Sequence, residues 1–115
     1  MRRGKLRKFG RVRKTRKALY KALATALIEH GKIKTTTSKA KSLSQFTDRL
    51  VSKAKKGDIA SGRLIRQYVG EKATKKLMTD IGPKFKDRTG GYTKVLRLGR
   101  RASDGAEMAQ IEFTQ

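Results

Sequence analysis

A chain of 115 residues with 31 Lys plus Arg against 9 Asp plus Glu, a formal net charge of +22, has room for one domain and calls for a partner of opposite sign. It holds no Cys, which excludes disulfides and thiolate metal sites, and no run approaches the roughly 20 apolar residues that cross a bilayer. Hydrophobic residues still make up 36%, and a chain of this size buries roughly two-thirds of its unfolded surface, so a modest core is expected beside extended basic parts.

The first segment, MRRGKLRKFGRVRKTRK, carries ten Lys or Arg and no carboxylate. It repels itself and cannot pack a core alone, so residues 1–15 are read as an extended basic arm and residues 16–115 as a single α+β domain. Leu6, Phe9 and Val12 recur every three residues, as in an Arg-rich transit peptide. The lack of Ser, the two glycines and the unbroken passage into a domain helix argue against that reading.

Residues 18–29 place Ala18, Leu19, Ala22, Leu23, Ala26, Leu27 and Ile28 on one helical stripe, closed by His30 and a left-handed Gly31. KIKTTT, 32–37, is short and β-branched and reads as a strand with Ile33 and Thr35 on one side. Ser38 is the expected N-cap of a second helix to about Lys56, its apolar face Ala40, Leu43, Phe46, Leu50, Val51 and Ala54. Gly57 closes that helix and Asp58 caps a third, with Leu64, Ile65, Tyr68 and Val69 facing inward and Gly70 ending it. A fourth helix, from about Glu71 to Asp80, faces Ala73, Leu77 and Met78 inward and stops at Gly82-Pro83.

The period then changes. Thr89-Gly90-Gly91 is a turn signal, YTKVLRLG alternates as a strand, and MAQIEFT alternates with Ala109, Ile111 and Phe113 on its buried side. The expected architecture is α+β: a four-helix cluster packed on a small two- to three-stranded mixed or antiparallel sheet.

Catalysis finds little support. His30, the only histidine, sits where a helix C-terminal dipole would hold it. The nine acids are dispersed in a basic field, which predicts local Lys or Arg partners rather than acid/base pairs. Gly90-Gly91 lacks the Lys-Ser/Thr sequel of a phosphate loop and reads as a tight turn. No enzyme activity, cofactor, metal, membrane or small-molecule substrate is expected.

The basic clusters are the informative feature. They run from the arm to Lys21, bracket the first strand, close the second helix at Lys53, Lys55 and Lys56, and recur at Arg63, Arg66, Lys72, Lys75, Lys76, Arg97, Arg100 and Arg101. Any one of them is an ordinary solvated face; together they exceed what solubility needs. Most of the seven aromatics fit predicted apolar faces and no aromatic RNA-stacking strand is present, so base stacking is not the expected mode. Phe9, inside the arm, is the exception. A histone-like DNA binder would need a dimer-forming element, and nothing supplies one.

GKLRKFGRVRKTRKALYKALATALIEHGKIKTT, SKAKSL, AKKGD, DRTGGYTKVLRLGRR and the closing MAQIEF resemble, in this order, the bacterial large-subunit ribosomal proteins of family seventeen. The resemblance covers nearly the whole chain, and its most specific parts are the EHGKIKTT and RTGGYTKVLRLGRR blocks. It implies helices against a small sheet and a cytoplasmic place in the large ribosomal subunit. The expected partners are large-subunit ribosomal RNA and neighbouring ribosomal proteins. The start Met-Arg-Arg-Gly, Thr15 before Arg16, Ala22, and Ser103-Asp104-Gly105-Ala106 depart from the family pattern. Under this reading the expected phosphate contacts are Arg2, Arg3, Lys5, Arg7, Lys8, Arg11, Arg13, Arg16 and Lys17, followed by Lys34, Lys39, Lys41, Arg88, Lys94 and Arg100.

Overall fold

The computed structural model describes residues 13–114, with side chains from Thr15 onward; the remainder of the arm lies outside the described residues. Helix α1 (Arg13–His30) leads into strand β1 (Lys32–Thr36), then α2 (Thr37–Lys56) and α3 (Ile59–Arg66). Helix α4 (Glu71–Lys76) runs on through a wide π turn (Leu77–Ile81) into a last α-helical turn, α5 (Gly82–Lys84). Strands β2 (Thr93–Arg100) and β3 (Glu107–Phe113) complete an antiparallel three-stranded sheet of order β1-β3-β2.

The sheet is the expected one, now with a register. Ile33, Ile111 and Val95 lie abreast on its inner face, and Lys32, Glu112 and Lys94 abreast on its outer face. The inner row meets α2, which packs on all three strands and on α1 and α3. Leu43, Leu50, Val51 and Ala54 of α2 are buried there with Leu27, Ile28, Ile65, Leu77, Phe85, Tyr92, Ala109 and Ile111. Gly31 and Gly57 both take the left-handed cap conformation that the sequence suggested, at φ 83° and 70°, and Asp58 accepts the Ser61 N–H at 2.8 Å as the cap of α3.

Four local expectations are corrected. The first helix begins at Arg13, ahead of the apolar stripe read at 18–29, because Arg and Lys sustain a helix well without such a stripe; its buried side is Ala24, Leu27 and Ile28, while Ala18 and Ala22 are exposed. The cap of α2 is Thr36, not Ser38. The Thr37 hydroxyl donates to the Glu107 carbonyl at 3.2 Å, so the chain turns from strand to helix as soon as pairing ends. Helix α3 stops at Arg66 in a tight turn, with Gln67 N–H donating to the Leu64 carbonyl. Ile65 and Val69 are buried while Leu64 and Tyr68, the neighbouring apolar pair, lie at the surface, and Gly70 caps α4 instead of ending α3.

The fourth correction concerns Gly82-Pro83, which the helix passes through. In a regular α-helix the proline ring would strike the carbonyl four residues back, at Thr79. Here the Gly82 N–H donates to Leu77, five residues back, and the widened turn removes that clash. Gly82 is needed for another reason. A Cβ there would sit 3.0 Å from the backbone oxygens of both Ala54 and Leu77, so Gly82→Ala must push the π turn off the end of α2. We expect a loss of about 1–3 kcal/mol in thermal melting. Gly62→Ala, whose Cβ would meet only the Met78 methyl at 3.8 Å, serves as the tolerated control.

Candidate nucleic-acid interface

Arg2, Arg3, Lys5, Arg7, Lys8 and Arg11 lie outside the described residues, as does the side chain of Arg13. The remaining expected contacts fall into groups set by topology. Arg16 and Lys17 stand on the first turns of α1. Lys34 and Lys94 share the open outer face of the sheet with Lys32. Lys39 and Lys41 are on the first turns of α2, and the register places that end of β1 beside Met108, which β2 meets at Gly99. Arg100 is therefore at the same end of the sheet as Lys39 and Lys41. Arg88 is at the opposite end, in the turn before β2.

The carboxylates neutralise little of this charge. Among the described residues three pair with Lys or Arg: Glu112 with Lys94 at 3.3 Å, Glu107 with Arg97 at 4.0 Å, and Asp104 with Arg101 at 2.9 Å. Glu29 lies 3.9 Å from His30, Asp58 caps α3, and Asp48 accepts the Thr93 hydroxyl at 3.0 Å. The expectation of local cationic partners thus holds for some acids and not for others. Lys94 is already engaged, and Glu112 is held below its ordinary pKa by the Gln110 amide and then by Lys94.

The 101–106 loop is built on one charged pair. The Arg101 guanidinium donates to both oxygens of Asp104, at 3.0 and 2.9 Å, and Asp104 also accepts the Ala106 N–H at 3.1 Å. The Arg101 hydrogen bonds, with that of Ala106, lower the Asp104 pKa from 3.8 to about 2. A carboxylate that binds its proton less tightly when folded contributes stability above pH 4, and that stability is lost as pH falls toward 2. An NMR titration of Asp104 should give a midpoint near 2, with Ala106 amide protection fading over the same range. Arg101→Ala should move the midpoint up toward 3.8. Asp48 behaves oppositely: burial raises its pKa against the Thr93 and Tyr92 hydrogen bonds, so its contribution grows as pH falls.

The Arg88–Gly91 turn is pinned from beneath. Lys55 on α2 donates to the Arg88 carbonyl and, at 2.9 Å, to the Tyr92 hydroxyl, which itself donates to the Arg88 carbonyl at 3.1 Å. The Lys55 bond holds the Tyr92 phenol below its ordinary pKa. Arg88 Nε closes the turn on the Gly90 carbonyl at 3.2 Å, and Gly91, at φ 61°, supplies the left-handed residue the reversal needs. Lys55 is thus a fastener of the turn, a role its place in a basic cluster did not suggest.

One feature escaped sequence reasoning. Tyr20 of α1, Phe46 of α2 and Tyr68 after α3 form a chain of rings. Tyr20 and Phe46 stack with centroids 5.8 Å apart, and Phe46 and Tyr68 meet edge to face at 5.8 Å. They line a groove of about 520 Å³ whose other walls include Arg16, Lys17, Lys21 and Gln67. Three separate helical segments supply the rings, so no spacing within the sequence reveals them.

The fold and its surface define a strongly basic α+β domain, with cations on several faces and net charge +22. The sequence model of the family described as ribosomal protein L17 matches residues 19–114. The chain belongs to the ribosomal protein L17 family. It is 49% identical over 108 residues to large ribosomal subunit protein bL17 of Campylobacter jejuni subsp. doylei, covering 93% of this chain and 92% of that one. The Gemmatimonas aurantiaca protein of the same name is 46% identical over the same shares. That of Bdellovibrio bacteriovorus is 41% identical over 112 residues, 96% of this chain and 62% of its own length.

Proposed function

We infer that this chain is a structural constituent of the bacterial large ribosomal subunit, cytoplasmic within the ribosome and without a reaction of its own. It binds large-subunit ribosomal RNA through the arm and the basic helix and loop faces, and lies beside other ribosomal proteins. The observation that carries the reading is the near end-to-end match, 49% identity over 93% of the chain. The surplus of Lys and Arg over available carboxylates supports the RNA contact, since an unneutralised excess of this size favours a polyanion partner. Arg16, Lys17, Lys34, Lys39, Lys41, Arg88 and Arg100, with the arm, are the proposed phosphate contacts.

The test is sedimentation of the tagged chain from its host. It should travel with the large subunit through a sucrose gradient in low salt and leave it in molar salt. Recovery with free protein or chromosomal DNA instead would sink the reading.

A further inference from the structure

We propose that the groove between α1, α2 and the turn after α3 receives an unpaired nucleotide of the bound RNA, its base against the ring of Tyr68. This rests on the function proposed above and adds a mode of contact to it. Burial of rings at a core is ordinary, but this cluster is not sealed: Tyr68 is 36% exposed and forms a wall of the open space. A volume of about 520 Å³ falls within the range of clefts that hold small ligands, roughly 300–1,000 Å³.

The walls select the occupant. Arg16, Lys17 and Lys21 stand on one side of the rings, and no carboxylate is among the residues around the space. A second, smaller hollow on the other side of Phe46 and Tyr68 is bordered by Arg49 and Lys53, again without an acid. A ligand with a flat π face and flanking negative charges fits both features, and a nucleotide in a strand has both. Gln67, exposed beside Tyr68, offers an amide donor and acceptor to a base edge. The chain's own arm fits less well, since the eight Lys and Arg of residues 1–15 would face Arg16, Lys17 and Lys21. Stacking on aromatic rings also reaches bases that phosphate contacts alone cannot hold in place.

The chain has no Trp, so Tyr68→Trp installs a single indole reporter in the groove. Large-subunit ribosomal RNA transcribed in vitro should quench it, and a fully paired RNA duplex should not. Tyr68→Ala should weaken binding of that RNA by about tenfold to a hundredfold without changing its salt dependence, and Tyr68→Phe should restore it. Lys17→Ala and Lys21→Ala should each lower the salt slope by about one. Tyr68→Leu keeps an apolar neighbour for Phe46 and should bind as weakly as Tyr68→Ala, which separates stacking from folding.

Unchanged affinity in Tyr68→Ala with a silent indole overturns the inference while leaving salt-dependent RNA binding, and so the proposed function, in place. Absence of salt-dependent binding by the unaltered chain instead removes the function itself. Quenching present before RNA is added and abolished by Phe9→Ala assigns the groove to the arm and overturns the inference. So does equal quenching by polyglutamate.

Discussion

Raising salt from 50 to 200 mM is expected to weaken binding of the full chain to large-subunit ribosomal RNA by about a thousandfold or more. Each neutralised phosphate releases roughly 0.9 of a counterion, and six to ten contacts give a loss on that scale. The number of contacts is bounded from the protein side by charge that has no internal partner. Of the 23 Lys or Arg whose side chains are described, three are in ion pairs with Asp or Glu. Filter binding at four salt concentrations gives the slope. Lys34 faces Gln110 across the sheet while Lys94 faces and pairs with Glu112, so Lys34→Gln should reduce the slope more than Lys94→Gln. A slope close to zero would remove the electrostatic basis of the proposed function.

Tyr92→Ala should cost about 3–5 kcal/mol, a large share of the roughly 5–15 kcal/mol that holds a domain of this kind together. Tyr92 is 2% exposed and lies 5.4 Å, centroid to centroid, from Phe85. The Lys55 ammonium is 5.0 Å from its ring centre. Truncation opens a cavity between α5 and the sheet and strips the Arg88–Gly91 turn of one of its two props. Tyr92→Phe keeps the ring and leaves Lys55 on the Arg88 carbonyl, so its loss should be about 1 kcal/mol. Urea unfolding separates the two, and amide exchange at Thr89, Gly90 and Gly91 reports the turn directly. Equal losses in both variants would mean that hydrogen bonding, not packing, holds this end of the sheet.

Elements whose signal is local were legible in the sequence. Alternation in MAQIEFT placed Ala109 and Ile111 inside, and Asp58 marked a helix start because its carboxylate caps its own helix three residues on. Where a distant partner decides, local reading failed. Thr37 bonds to a strand 70 residues away, which moved the helix start ahead of Ser38. Of the two adjacent apolar lines after Asp58, Ile65 with Val69 is buried and Leu64 with Tyr68 is exposed, a choice made by packing against other helices and not by the local period. The π turn hid from the rule that Gly-Pro stops a helix. In β2, pairing shifts by one residue between Arg97 and Gly99, an irregularity that the alternation of YTKVLRLG did not show. Among the expected contacts, basic residues were easy to name individually. Their grouping at two ends of the sheet and along α1 depended on register and helix packing that composition does not encode.

Among the described residues the sheet has three strands, and β3 is the middle one, so β1 and β2 are its border strands, each with a row of backbone donors and acceptors turned away from β3. Such rows invite a second molecule to add on and start a fibre, a hazard that lysines on the border strands suppress by mutual repulsion. Lys32 and Lys34 stand on one border and Arg100 on the other, where Lys94 and Arg97 are in ion pairs. Charges suited to gripping a nucleic acid would then also act as guards during the interval between synthesis and assembly, keeping newly made copies apart. Neutralising them in purified protein should therefore bring turbidity as well as weaker binding.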